Sequence, residues 1–127
     1  MADEKQRMVL VVEDDPILKN LLGNTFSGRY TAMYAGTGIE ALQYVEEYKP
    51  DIILLDLMLP EMGGFEVLEK LRARTDELKD IPVIVVSNLS QESDQEKAKT
   101  LGANDYMVKA EVAIEEITSK IDQFFTA

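Results

Sequence analysis

The run Asp51-Ile52-Ile53-Leu54-Leu55-Asp56-Leu57-Met58-Leu59-Pro60, followed by Gly63-Gly64, decides the fold. Four consecutive apolar residues, two of them β-branched, predict a strand covered on both faces. The strand delivers one carboxylate, Asp56, at its C-terminal end, and Pro60 and Gly63-Gly64 break the chain before a helix. An acid at the end of a buried strand is costly unless a cation or hydrogen bonds hold it.

Four more segments carry strand signals. Met8-Val9-Leu10-Val11-Val12 and Pro82-Val83-Ile84-Val85-Val86 are again continuous apolar runs, and they end on Glu13-Asp14-Asp15 and on Ser87-Asn88. Tyr30 to Ala35 mixes polar and apolar positions, as a strand near an edge does, and Ala103 to Val108 delivers Lys109. Helical spacing fills the intervals. Asp15-Pro16 fits a cap followed by proline at the first helical position, with Leu18, Leu21, Leu22 and Phe26 as the apolar stripe. Thr37 and Glu40 form a capping box, and Ile39, Leu42, Val45 and Tyr48 form the inward face of the next helix. A third helix from about Phe65 to Arg74 buries Val67, Leu68 and Leu71, and Thr75 to Asp80 reads as polar linker. Ser90 is placed to cap a helix from Gln91 to Leu101 that Gly102 ends, with only Ala98 and Leu101 as apolar anchors. Ile114, Ile117, Ile121 and Phe124 or Phe125 line a closing helix. Five β-then-α units predict a parallel sheet in a three-layer α/β/α sandwich, a single domain over residues 1–127 with a polar N-terminal extension over 1–7.

Composition narrows the function. The 127 residues carry a net charge of −11, which argues against nonspecific nucleic-acid binding and suits a basic partner or a bound cation. No apolar run approaches the roughly 20 residues of a membrane span, and the polar start lacks a signal peptide's apolar core, so a cytoplasmic protein is expected. Parallel strands gather their C-terminal ends along one edge, where ligands bind. If the first and third strands are neighbours, Glu13, Asp14 and Asp56 converge. Carboxylates so placed repel unless one protonates or a cation joins them. With no His or Cys in the chain, hard oxygen ligands point to Mg²⁺ or Ca²⁺, and an incomplete protein shell suits Mg²⁺ with a phosphate co-ligand. Ser87 and Lys109 add a hydroxyl and an ammonium, and this set of groups suits phosphoryl transfer.

These residues resemble the receiver domain of two-component response regulators, of the chemotaxis-regulator-like stand-alone kind. The matching pieces are Val11 to Pro16, Pro50 to Pro60 with Gly64, Val86-Ser87, and Asp105 to Lys109, in order and along essentially the whole chain. The resemblance implies a flavodoxin-like sheet of order 2-1-3-4-5, a (βα)5 receiver. It implies that Asp56 accepts a phosphoryl group from a histidine kinase or a histidine phosphotransfer protein. Mg²⁺, or Mn²⁺ in its place, would be held by Asp14 and Asp56, by Glu13 through water, and by the Met58 backbone carbonyl. Ser87 and Lys109 would contact phosphoryl oxygens, and Tyr106 would change burial as Ser87 moves. The helix before the last strand, that strand and the last helix would then signal to a downstream protein, with no output domain, no direct nucleic acid and no membrane involved. Catalysis would be limited to the chain's own phosphorylation and dephosphorylation.

Three departures from the family pattern stand out. Ala110 follows Lys109 where receivers usually carry a proline, often cis. A cis bond without proline costs about 2.5–4 kcal/mol, so either the bond is trans or the site holds that strain. Asn88 replaces a small residue beside Ser87, and Gly63 replaces an acid before Gly64. The resemblance further implies that Met58 and Leu89, beside the site, restrict water access and give a longer-lived phosphoryl state. Other classes fit less well. A haloacid dehalogenase-like phosphatase needs a second Asp where Met58 stands. A flavin binder needs phosphate donors where Glu13-Asp14-Asp15 would repel them. A pseudo-receiver acting without phosphorylation remains the alternative, resting on Ala110 and Asn88.

Overall fold

The computed structural model describes residues 6–126; residues 1–5 of the N-terminal extension lie outside the described residues. Five strands, β1 (Met8–Val12), β2 (Thr31–Ala35), β3 (Ile52–Leu55), β4 (Val83–Ser87) and β5 (Asp105–Val108), alternate with five helices. The helices are α1 (Pro16–Phe26), α2 (Gly38–Tyr48), α3 (Gly64–Arg72), α4 (Glu92–Thr100) and α5 (Ile114–Thr126). All strand pairs are parallel and the order is β2-β1-β3-β4-β5, as the resemblance implied.

The unbroken apolar runs follow from helices on both faces. Leu10, Val12, Ile53 and Leu55 point to one side and pack on Ala41 and Val45 of α2 and Val67, Leu68 and Leu71 of α3. Val9, Val11, Ile52 and Leu54 point to the other and meet Leu22 and Phe26 of α1 and Ile117 and Ile121 of α5. Alternate residues of one strand thus feed two different cores, so no position can be polar until the strand ends. α4 contributes little to either core; its buried Ala98 joins Leu57 and Val85 in a small third cluster.

Local signals set the helix starts. The Asp15 carboxylate accepts the Ile17 N–H at 2.9 Å with Pro16 at the first helical position. Thr37 Oγ1 accepts the Glu40 N–H at 3.1 Å, and Glu40 reaches back to the Gly36 N–H at 2.8 Å, one residue further than the usual capping box.

Several expectations are corrected. Leu21, Ile39 and Tyr48, read as inward, are each close to half exposed; the seams are Leu22 and Phe26 on α1 and Gly38, Ala41 and Val45 on α2. A helix lying on a sheet buries a narrower stripe than the full apolar arc its sequence offers. α3 ends at Arg72 rather than Arg74. The segment read as linker folds into a 3-10 helix, Glu77–Asp80, that buries Leu78. Ser90 does not cap α4. Gln91 takes that position without a side-chain bond, and Ser90 offers only its carbonyl, to Gln95 Nε2 at 3.5 Å. Among the described residues no helix is long and apolar enough to cross a membrane.

Candidate functional site

The register of β1 and β3 builds the site. Val12 pairs with Leu55, and the Asp56 N–H still bonds the Val12 carbonyl at 3.0 Å. Glu13 and Asp56 therefore leave neighbouring strand ends side by side, both nearly fully buried, with Asp14 exposed at the rim. Carboxylate oxygens of Glu13, Asp14 and Asp56 all lie within 4.8 Å of one another.

Lys109 provides the counter-charge. Its Nζ sits 2.7 Å from Glu13 Oε1 and 3.0 Å from Asp56 Oδ2. It reaches both across a trans Lys109–Ala110 bond, because no peptide bond among the described residues is cis. The chain past Lys109 instead tightens into a 3-10 turn, Lys109–Glu111. Lysine's flexible four-carbon stem tolerates this altered loop.

Charge and burial set the proton affinities. Burial pushes the Glu13 carboxyl above its usual 4.5, against hydrogen bonds from Lys109 and the Asp15 N–H. Burial pulls Lys109 down, but its bonds to Glu13 and Asp56 outweigh that, so its net shift is upward. Lys109 therefore remains an ammonium at neutral pH.

The Asp56 carboxylate is held at both oxygens: Oδ2 by Lys109 and Oδ1 by the Met58 N–H at 3.1 Å. Gly64 allows the next helix to approach this closely. A Cβ there would lie 2.4 Å from the Asp56 carbonyl oxygen and 2.6 Å from Leu57 Cα, and the Gly64 N–H bonds the Leu57 carbonyl at 3.1 Å. The Met58 side chain, expected to restrict water access, stands out in solvent, and Leu59 packs on the core.

Ser87 and Tyr106 meet through a backbone the sequence could not flag. Ser87 is wholly buried at the end of β4, and its Oγ accepts the Leu89 N–H at 3.4 Å. Tyr106, half-buried on β5, donates its hydroxyl to the Leu89 carbonyl at 2.6 Å. Burial raises the Tyr106 hydroxyl's pKa, helped by the charges of Asp94 and Asp56. The two ends of the Leu89 residue thus join Ser87 to Tyr106, and no side-chain signal marks Leu89 for this role. Asn88 points to solvent.

Comparison with known proteins agrees with this geometry. Residues 9–122 match the family model for the response regulator receiver domain, and the chain belongs to that family. It is 35% identical to the polar-differentiation response regulator DivK of Brucella anthropi over 81% of this chain and 84% of that protein. Among solved structures it resembles the Mn²⁺-bound form of response regulator Rcp1, with 27% identity, 94% of each chain covered and a TM-score of 0.81. It also resembles the phosphorylated cyanobacterial phytochrome response regulator RcpA, with 28% identity, 94% and 91% covered and a TM-score of 0.80. The chain spans less than half the length of the first curated relatives it matches.

Proposed function

We propose that this chain is a phosphorylation switch in which Asp56 accepts a phosphoryl group from a phosphohistidine on a kinase or phosphotransfer protein. The observation that carries the reading is the cluster of three carboxylates within 4.8 Å with one ammonium bridging two of them. The donor set fits a hard divalent cation: oxygen ligands only, two of them buried, and more negative charge than Lys109 neutralises. Glu13, Asp14 and Asp56 would hold Mg²⁺, or Mn²⁺ in its place, with the Met58 carbonyl as a further ligand. When bound, such a cation supplies charge neutralisation for the phosphoryl oxygens.

The chain's own groups do the rest. A carboxylate oxygen of Asp56 attacks phosphorus, the phosphorus–nitrogen bond breaks, and the departing imidazole nitrogen keeps the electron pair and takes a proton. Lys109 and the Met58 N–H hold the carboxylate so that one oxygen can be presented in line. Lys109 is also placed to follow the charge onto the phosphoryl oxygens, with the Ser87 hydroxyl as a second donor. Drawing Ser87 toward phosphate pulls on the Leu89 backbone, and Tyr106 is bonded to the same residue. The face of α4, β5 and α5 then offers two states to a downstream protein.

The alternative, an interaction module working without phosphate, rests on Ala110 and Asn88. Neither favours it, because Lys109 keeps both carboxylate contacts and Asn88 is exposed. The test is intact mass after incubation with Mg²⁺ and a small acyl phosphate. Wild type gains one phosphoryl group and Asp56→Ala gains none. No adduct on wild type, or an equal adduct on Asp56→Ala, rejects the assignment.

A further inference from the structure

The two ends of α4 are held very differently. At the C-terminal end the chain passes through Leu101 to Gly102, whose φ of +107° an L side chain rarely adopts. The Gly102 carbonyl accepts from Arg72 Nε at 3.0 Å and from Arg72 Nη2 at 2.9 Å. The same guanidinium donates to Asn104 Oδ1 at 3.0 Å, to the Lys79 carbonyl at 2.7 Å and to the Ile81 carbonyl at 2.8 Å. All five guanidinium N–H groups are thereby used, none on a carboxylate. Asn104 Oδ1 also accepts the Val83 N–H at 2.8 Å, which ties the hub to the root of β4. Burial lowers the Arg72 pKa from its ordinary value, with the Asp80 charge opposing. The guanidinium holds the carbonyl of the residue just past the end of α4, on the side of the helix's negative pole, and pairs with no acid.

The other end has no such hub on the described helix: the loop before it is held at Leu89, whose carbonyl accepts the Tyr106 hydroxyl at 2.6 Å and whose N–H reaches Ser87 Oγ at 3.4 Å. Gln91 makes no side-chain cap, Glu92, Ser93 and Gln95 are exposed, and Ala98 is the only buried residue of the helix. An open groove of about 420 Å³ lies between α4 and β5 along the whole helix, lined among others by Glu92, Gln95, Ala98, Lys99, Ala103 and Tyr106, so the side facing β5 holds neither end tightly. Midway, the Lys97 ammonium lies over the Phe65 ring at 4.3 Å.

We infer that Arg72 is a positioning residue that pins the C-terminal end of α4, so that the helix pivots about Gly102 and swings at the end following Ser87. The inference rests on the phosphorylation-switch reading only for what drives the swing; the asymmetry itself lies in the contacts of Arg72 with Gly102 and Asn104. A pivot at Gly102 confines displacement to the β4–α4 loop and the first turns of α4, where Leu89 contacts Tyr106, and leaves the Asn104 junction still.

Residue-resolved amide hydrogen exchange by NMR tests this on the whole chain. Two amides report on the ends: Gln95, bonded to the Gln91 carbonyl at 3.2 Å, and Ala103, bonded to the Ala98 carbonyl at 2.9 Å. In the unliganded wild type, Ala103 is expected to be protected at least about tenfold more than Gln95. Arg72→Lys, which keeps the charge but loses the fork, brings the ratio to about one, while Lys97→Ala leaves it unchanged. A wild-type ratio near one overturns the inference, as does a folded Arg72→Lys that keeps the wild-type ratio. Where Arg72→Lys fails to fold, the wild-type ratio decides. Adding Mg²⁺ and beryllofluoride as a phosphoryl stand-in should then shift amides over residues 88–96 and leave 101–104 in place. Equal shifts at both ends reject the pivot; no shift anywhere rejects the phosphoacceptor reading and leaves the pivot to stand on the exchange ratio.

Discussion

Replacing Lys109 by Met removes the ammonium while keeping most of the side chain's bulk, and so isolates its charge. The Lys109, Glu13 and Asp56 side chains are only 17%, 4% and 6% exposed. With an effective dielectric of about 20, contacts at these distances amount to roughly 5–6 kcal/mol each before desolvation. Losing one partner of a buried pair costs about 3–5 kcal/mol net, because the other charge stays buried and unpaired. The residual exposure of Lys109 and the exposed third acid place the expected loss at the lower end, about 3 kcal/mol near neutral pH without metal. That loss depends on pH. Glu13 already titrates above its usual 4.5 because burial penalises its charge, and the Lys109 hydrogen bond is what opposes this most. A carboxyl whose folded pKa is raised binds its proton more tightly in the folded state, so folded stability recovers as pH falls through that pKa toward 4.5. Without Lys109 the Glu13 pKa rises further, and the variant's deficit shrinks between neutrality and about pH 5. Urea unfolding followed by circular dichroism, in chelator at both pH values and with Mg²⁺ at neutral pH, measures all three quantities. Mg²⁺ should return part of the loss. A deficit below about 0.5 kcal/mol, unchanged by pH and by Mg²⁺, would refute the coupling of these groups.

Three further outcomes are expected. Gly64→Ala drives a methyl group into the Asp56 and Leu57 backbone, which cannot yield as a side chain can. It should cost about 3 kcal/mol in urea unfolding and slow phosphorylation of Asp56, and a loss within experimental error would contradict the close approach. Gln91→Asp supplies the missing cap of α4 on backbone already extended at that position. A gain of about 1 kcal/mol, or about 4 °C in Tm, is expected, and an unchanged Tm would mean that α4 is not limited by its N-terminus. Tyr30 is pushed up to about 12 by burial and by its hydrogen bond to Asp122, so the folded protein keeps a proton that the unfolded chain sheds near its usual 10.0. Stability should therefore fall as pH rises from 10 to about 12, and Tyr30→Phe should flatten that limb; identical alkaline slopes in the two proteins would count against it.

Much of the molecule is legible in one dimension because its signals are local. The runs Met8–Val12, Ile52–Leu55 and Val83–Val86 are apolar at every position, which only a doubly covered strand tolerates. Asp15, Thr37 and Glu40 announce helix starts through bonds to residues two to four positions away. The failures have the same root. Leu21, Ile39 and Tyr48 carry the right spacing, but how wide a stripe a helix buries depends on the sheet beneath it. Leu78 is one apolar residue among charges, and its burial comes from α3 and β4 packing around it.

The sequence alone determined which residues end strands and therefore which chemistry could gather at one edge: carboxylates at 13, 14 and 56, a hydroxyl at 87 and an ammonium at 109. It did so because burial and capping act over a few residues. Only the tertiary structure decided that Lys109 bridges Glu13 and Asp56 across a trans bond, that Leu89 links Ser87 to Tyr106, and that Arg72 holds the far end of α4. Each of these joins backbone or charge across chain separations that local pattern does not encode. Parallel strands place such groups side by side only once every crossover has closed.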